Sequence, residues 1–376
     1  MAEIRTSIIK NTSRFSVTHN QVDGIVNFDI DNAYPQRVAD IIQSSAVAVK
    51  CVDVYTKFIV GQGFEDKSFY KKAINSLKQT PDIILRKAAA DLAYYRGFAL
   101  HINYNANYKT TSVTHIPFEH CRLHIPDEYG YSRKIAIYNN WNRKRSRQIR
   151  KDKIDHIDVF NPEPEVIKAQ VEAASGWDTY KGQVLWFSTD GNEYPRATAD
   201  PILEDCITDA EIKTYKWRAI STNFMASHIY VHRGFFENDE ARADLHTVLN
   251  TFQGSDNVGK IMMVESPGEE SDPKLLKVDI QNFDKHFEYT EQSVQDNIRL
   301  CFGIPSVLIG KEVAGKLGSS QEIEQAVNYY SYQTLNERLI LEEIFTQVFS
   351  LFSTPVNPTN NYAIKPLSYA PTNLGN

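Results

Sequence analysis

The sequence predicts an α+β protein: an N-terminal α/β module, two helices enclosing a compact β/α insert, and a long C-terminal helix. Three observations predict it. Apolar residues recur at helical spacing over 34–61, 81–96, 200–226, 284–302 and 320–352. From 98 to 141 the spacing changes to the two-residue period of half-buried strands. Between the helices at 200–226 and 284–302 it changes again, to a strand–helix–strand order.

Tyr34-Pro35 opens the first helix, because a proline at the first helical position forfeits no hydrogen bond. Ile42, Ala46, Val49, Val52 and Ile59 carry its stripe until Gly61 and Gly63 stop it. A second helix runs from Pro81 to Arg96, with Leu85, Ala88, Leu92 and Tyr95 on one face and Gly97 at its end. Phe98, Leu100, Ile102 and Tyr104 then alternate as a strand. Thr111 to Phe118, Cys121 to Ile125 and Lys134 to Trp141 read as further strands of a small antiparallel sheet, with a turn at 127–130.

In the second half, Asp200-Pro201 joins an N-cap to a proline at the first helical position. Leu203, Ile207, Ala210, Trp217 and Phe224 keep one stripe as far as Ala226, a helix of about 40 Å. Strands at 228–232, 260–264 and 275–280 and an amphipathic helix at 238–252 make the insert. The return helix starts near Asp284 with Phe287, Glu291, Val294, Ile298 and Cys301 on one side, and Gly303 and Pro305 end it. Ser306 to Gly318 reads as a mobile loop, and Ser319 with Glu322 as a capping box. One helix follows to Phe352, carrying Ile323, Val327, Tyr330, Leu341, Phe345 and Val348, and Pro355 and Pro358 then break the chain before an ordered or loose tail.

Composition excludes several classes. At about 150 residues per domain, 376 residues suggest two or three modules. With 42% hydrophobic residues, 20 Tyr and 19 Phe, the chain is no disordered polymer. No stretch approaches the roughly 18 apolar residues of a helical membrane span, and mean hydropathy is −0.41. The first residues show no long apolar run or small-residue cleavage site, so no secretory signal is expected. A net charge of −6 argues against coating nucleic acid by charge alone. Cys51, Cys121, Cys206 and Cys301 are widely spaced, which predicts reduced and mostly buried thiols.

A search for chemistry finds no catalytic residue, metal set or cofactor motif. There is no GxxxxGK[ST], GxSxG or HExxH, and Gly310-Lys311 lacks the upstream glycine and following hydroxyl of a phosphate loop. His115, His120, His124 and Cys121 lie close in sequence. Strand alternation puts His120 and His124 on one side and Cys121 on the other, which favours scattered polar positions over a metal site or nucleophile pair. Arg143, Lys144, Arg145, Arg147, Arg150 and Lys151 form the sharpest charge run. It is either a contact to phosphates or an acidic partner, or a solvated hairpin tip.

The return helix ends in Phe302-Gly303-Ile304-Pro305-Ser306-Val307-Leu308-Ile309-Gly310, and Gln321-Glu322 opens the next helix. Asn257-Val258-Gly259-Lys260 opens a strand of the insert, while Tyr94, Arg96-Gly97-Phe98-Ala99 and Ile116-Pro117 stand in the first half. In this order, over 31–352, the chain resembles the portal proteins of tailed bacteriophages. The resemblance implies a wing at 1–199, stem helices at 200–227 and 284–305, and a clip at 228–283. It further implies a tunnel loop at 306–318, a wing helix at 319–352 and a reduced or absent crown at 353–376. Such subunits close into a ring of about twelve, with the exposed stem faces covered by neighbours. Double-stranded DNA passes through the channel, where Lys311, Val313, Lys316 and Leu317 would face it. The clip, with Asp239, Glu240 and Asp244, would dock the terminase large subunit. A head–tail adaptor and the major capsid protein are the other implied partners. The location would be the portal vertex of the virion after synthesis in the host cytoplasm, with no membrane, no cofactor and no enzymatic activity. The alternative is another structural virion component, such as a head–tail connector or tail protein.

Overall fold

In a computed structural model, the described residues are 17–20, 24–69, 71–141, 153–191, 194–221, 226–233, 239–240, 243, 260–266, 274–277, 283–310 and 320–369. The chain divides into two compact units, Met1–Leu203 with Ile298–Asn376, and Glu204–Asn297.

The first unit opens with an antiparallel pair, β1 (Val17–Asn20) and β2 (Ile25–Phe28). Helices α1 (Tyr34–Ser44) and α2 (Ala46–Val60) follow. The periodicity reads as one helix here, and the structure breaks it at Ser45. That residue is extended, and its hydroxyl oxygen accepts the Ala48 N–H at 3.2 Å, satisfying a donor that the start of α2 leaves open. Helix α3 (Pro81–Tyr95) matches its expected span and ends on a left-handed Arg96. Gly97 is required by a close approach. A Cβ there would lie 2.7 Å from the Phe187 carbonyl oxygen and 2.8 Å from the Phe118 ring.

The sheet is larger than the sequence suggests. Strands β3 (Gly97–Tyr104), β4 (Thr110–Ile116), β5 (Cys121–Leu123), β6 (Lys134–Ile137), β7 (Asp155–Val159) and β8 (Gln183–Ser188) lie in the order β4-β3-β8-β7-β6-β5. All neighbours are antiparallel except β7 and β8, which run parallel and are joined through α4 (Pro164–Ala173). Stacked aromatic rings fill the space under the sheet: Phe28 on Tyr194 at 4.0 Å, Phe28 on Tyr34 at 5.1 Å and Phe118 on Trp186 at 4.5 Å.

Helix α5 (Leu203–Ser221) leads into the second unit after a 3-10 turn at Asp200–Ile202. Its 19 residues span about 28 Å rather than 40 Å, and Ala226, expected at its end, already begins a strand. The second unit holds β9 (Ala226–Arg233), β10 (Lys260–Ser266) and β11 (Lys274–Lys277), with β10 parallel and β11 antiparallel to the central β9. A parallel pair needs a crossover connection, and of the helix expected there at 238–252 only 239–240 and 243 are described, as helix; the rest lies outside the described residues. Helix α6 (Phe283–Cys301) runs antiparallel to α5. Tyr215 meets the Phe287 ring at 5.0 Å, Lys216 pairs with Glu291, and Asn297 donates to Asp205 at 3.5 Å.

Back in the first unit, Ser306–Ile309 forms a 3-10 turn closed by a left-handed Gly310, where the sequence reads as loop. The expected single helix at 319–352 is two helices, α7 (Ser320–Gln333) and α8 (Leu335–Ser350). The Ser319 half of the capping box lies outside the described residues. The described part of the tail is tied down. Gln62 N donates to Lys365 O at 2.8 Å, Glu65 N to Ala363 O at 2.8 Å, and Lys365 N to Gly63 O at 2.9 Å. Tyr362 is buried against the rings of Phe64, Phe69 and Phe349.

Candidate functional site

The histidines and cysteine that lie close in sequence are separated by the fold. His115 on β4 bonds the Asp91 carboxylate on α3 at 2.7 Å, and that same oxygen accepts Phe118 N–H at 3.0 Å. Burial raises the Asp91 pKa against the lowering effect of His115. His120 ends a 3-10 turn at Phe118–His120, and burial lowers its pKa. His124 instead bonds His156 on β7 at 2.7 Å. Cys121 points to the Pro117 carbonyl at 3.8 Å, and burial pushes its thiol far above the ordinary range. A thiol so disposed has no thiolate character, so the Cys–His pair does not form. Among the described residues no three His, Cys, Asp or Glu side chains converge as a metal site would require. Cys51, Cys121 and Cys206 are buried reduced thiols, and Cys301 is partly exposed.

Of the expected contact residues, Asp239 and Glu240 are helical and exposed. Asp244, Lys311, Val313, Lys316, Leu317 and the whole basic run Arg143, Lys144, Arg145, Arg147, Arg150 and Lys151 lie outside the described residues. A described residue on each side of that run is buried. Trp141 and Ile154 belong to one buried cluster with Ile25, Ala136 and Tyr138, and the Trp141 indole N–H donates to His120 O at 2.7 Å. The basic segment thus connects the antiparallel strands β6 and β7.

The structure does single out helix faces. On α5 the apolar stripe is not fully buried: Ile207 is 44% and Trp217 67% exposed, while Leu203 and Ala210 are half-buried. The buried side carries Cys206, Asp209 and Ile212 instead. On α6, Val294 and Ile298 are buried while Tyr289 is 78% exposed. In the first unit, α8 buries Leu341, Phe345, Val348 and Phe349 and exposes Leu335 and Leu339, and α7 exposes Tyr329 and Tyr332. A surface helix normally turns its apolar stripe inward and its polar face to water. Ile207 and Trp217 on α5, Tyr289 on α6, and Tyr329, Tyr332, Leu335 and Leu339 on α7 and α8 depart from that pattern. Sequence periodicity finds the α5 stripe but cannot tell which way it faces.

No family model matches the sequence, and no curated protein does. Solved structures do match by fold. A chain from the neck of an empty gene transfer agent particle, computed with C6 symmetry, has a TM-score of 0.54 at 11% identity, over 88% of this chain and 84% of that one. A chain from the neck of the native particle, computed with C12 symmetry, has a TM-score of 0.50 at 12% identity, over 85% and 82%. The neighbours also include an HK97-family phage portal protein from Corynebacterium diphtheriae, with a TM-score of 0.43 at 8% identity, over 82% and 90%. At such identities the likeness is one of fold.

Proposed function

We propose that this chain is the portal protein of a phage-like particle: a subunit of a closed ring at one capsid vertex, through which double-stranded DNA enters and leaves. The observation that carries the reading is the fold shared with a particle-neck chain over 88% of this sequence. The exposed Ile207 and Trp217 of α5 support it, because neighbours in a ring would cover them. In this reading 1–199 is the wing, 200–227 and 284–305 are the stem, and 228–283 is the clip. Residues 306–318 are the tunnel loop and 319–352 the helix behind it. The segment 353–376, where a crown would stand, has its described part bonded onto residues 62–65 of the wing.

The parts then have separate tasks. The exposed acidic Asp239 and Glu240, with Asp244, dock the terminase large subunit on the clip. Lys311, Val313, Lys316 and Leu317 of the loop 306–318 face the channel, and the two lysines meet passing phosphates weakly enough for DNA to slide. The basic connection between β6 and β7 meets an acidic surface, with the head–tail adaptor and the major capsid protein as further partners. None of these tasks calls for a catalytic residue. Native mass spectrometry and electron microscopy of the purified chain test the reading. A closed ring of about twelve subunits around a channel of about 20 Å or more is expected. A stable monomer at micromolar concentration overturns it.

A further inference from the structure

We propose that His124 and His156 form an open site for one borderline divalent transition-metal ion of the Zn²⁺, Ni²⁺ and Cu²⁺ class. Their facing nitrogens, His124 Nε2 and His156 Nδ1, lie 2.7 Å apart. The rings stand nearly at right angles, with 80° between their planes and 4.8 Å between their centroids. The backbone sets this meeting. His124 N donates to Lys134 O at 3.1 Å, and the Ser132 hydroxyl donates to His124 O at 2.6 Å. His156 lies on β7 opposite Ala136 of β6, the strand between β7 and β5. Paired residues send their side chains to the same face of a sheet. Ala136 offers only a methyl group there, which leaves the imidazole room to reach across β6.

Imidazole nitrogen suits ions of this class. An ion about 2.0–2.1 Å from both nitrogens sets them about 2.9 Å apart at a right angle and about 3.3 Å at a tetrahedral one. The pair therefore has to open by only about 0.2–0.6 Å, which small side-chain rotations supply. His156 is exposed and His124 half-buried, so an ion can reach them from water. On binding, each nitrogen gives a lone pair to the ion. The proton between them moves to the other nitrogen of its own ring, and neither ring changes charge. Lys134, whose charge acts on His124 from β6, is paired with Asp158 of β7 at 3.6 Å, so it does not stand alone against the ion. Two side chains are fewer than a catalytic or structural zinc site takes. The ion thus keeps water, or a donor from another molecule, at its remaining positions. Hard ions such as Mg²⁺ prefer oxygen ligands and do not suit the pair.

The test is calorimetric titration of the full chain, carrying no histidine tag, with Zn²⁺ alone. The wild type should bind one more equivalent per chain than the double variant His124→Gln with His156→Gln. Each single substitution should weaken that binding by about tenfold or more, since even losing an outer partner of a ligand costs as much. His101→Gln, at another partly exposed histidine, should leave it unchanged, and Mg²⁺ should not compete. With Cu²⁺ in place of Zn²⁺, electron paramagnetic resonance should show coupling to two imidazole nitrogens that the double variant lacks. Equal Zn²⁺ binding by the wild type and the double variant overturns the proposal. So does an equal loss in His101→Gln, which would mean scattered surface histidines only. Displacement by Mg²⁺ overturns it as well, since it would put the ion on carboxylates such as Asp158. Should the double variant fail to fold, the wild type decides the question alone: Zn²⁺ should protect His124 and His156 from diethyl pyrocarbonate, read by peptide mass. Equal modification with and without Zn²⁺ overturns the proposal. The outcome does not depend on ring formation, which native mass reads separately.

Discussion

Arg122 and Asn32, 90 residues apart, are locked together in the interior: Arg122 Nε donates to Asn32 Oδ1 at 2.6 Å and Nη2 to Asn32 O at 2.7 Å. Arg122 is fully buried, and Nη1 donates to Glu119 O at 2.9 Å and Cys121 O at 2.6 Å. Its guanidinium lies 5.2 Å from the Trp141 ring centre and 5.7 Å from that of Phe28. Burial lowers its pKa to about 10, so it stays charged at neutral pH. Asn32 is itself left-handed, with φ 56°, and its Oδ1 also accepts Phe28 N–H at 2.9 Å. One guanidinium thereby fixes the turn between β2 and α1 to the edge strand β5.

Removing it should be costly. Arg122→Met leaves the carbonyls of Asn32, Glu119 and Cys121 short of donors in a dry site, for a loss of about 3 kcal/mol or more. Arg122→Lys should recover little, because one ammonium cannot reproduce the planar fork that reaches both Asn32 oxygens. Urea unfolding reads the effect directly. A midpoint unchanged by either substitution would show that the carbonyls find other partners.

The His124–His156 contact predicts acid sensitivity. Burial, then His156, then Lys134, lower the His124 pKa to about 4 from its ordinary 6.5. The unfolded chain therefore binds the proton first, and stability is full above about pH 6.5 and lost as pH falls toward 4. Asp91 acts in the opposite sense. Its raised pKa makes the folded state take up a proton earlier on acidification. The difference between the wild type and His124→Gln isolates the histidine. The variant should lose less melting temperature than the wild type between pH 7 and 4.5. Parallel melting curves would remove the pair as a source of acid lability.

Helix α3 was legible because Pro81 and Gly97 bracket it and its stripe is unbroken. The parallel strand pair of the insert was legible from its strand–helix–strand order. The breaks at Ser45 and Thr334 were not, because apolar periodicity runs straight through both. One is set by a capping hydroxyl and the other by an arginine whose acceptor, Phe58 O, is 280 residues away. The β7–α4–β8 crossover was missed because α4 buries only Ile167 and Val171, too little to show as a stripe. The candidate surface was half legible. Tyr329 and Tyr330 are adjacent and chemically identical, yet one is 56% exposed and the other 1%. That difference is set by packing against Phe58 and by the Tyr330 hydroxyl donating to Phe302 O at 2.9 Å.

The exposed aromatics of the second unit give the most direct test of self-association. Trp217 on α5 and Tyr289 on α6 leave 67% and 78% of their surface in water in the single chain. Each offers about 150–250 Å² of apolar surface to a neighbour. A charge placed there costs the single chain little, because exposed positions away from special features change stability by about 0.5 kcal/mol or less. The same charge buried without a partner between two chains is strongly unfavourable. Trp217→Glu with Tyr289→Glu should therefore turn assembled rings into monomers or small oligomers, while the melting temperature of the isolated chain stays within a few degrees. Analytical ultracentrifugation gives the first quantity and calorimetry of dilute monomer the second. Trp217→Phe with Tyr289→Phe should keep the rings, which separates loss of apolar contact from any change of side chain. If the double glutamate variant still sediments as a ring, these side chains face solvent or channel in the assembly, and the contact between neighbours must run through another face.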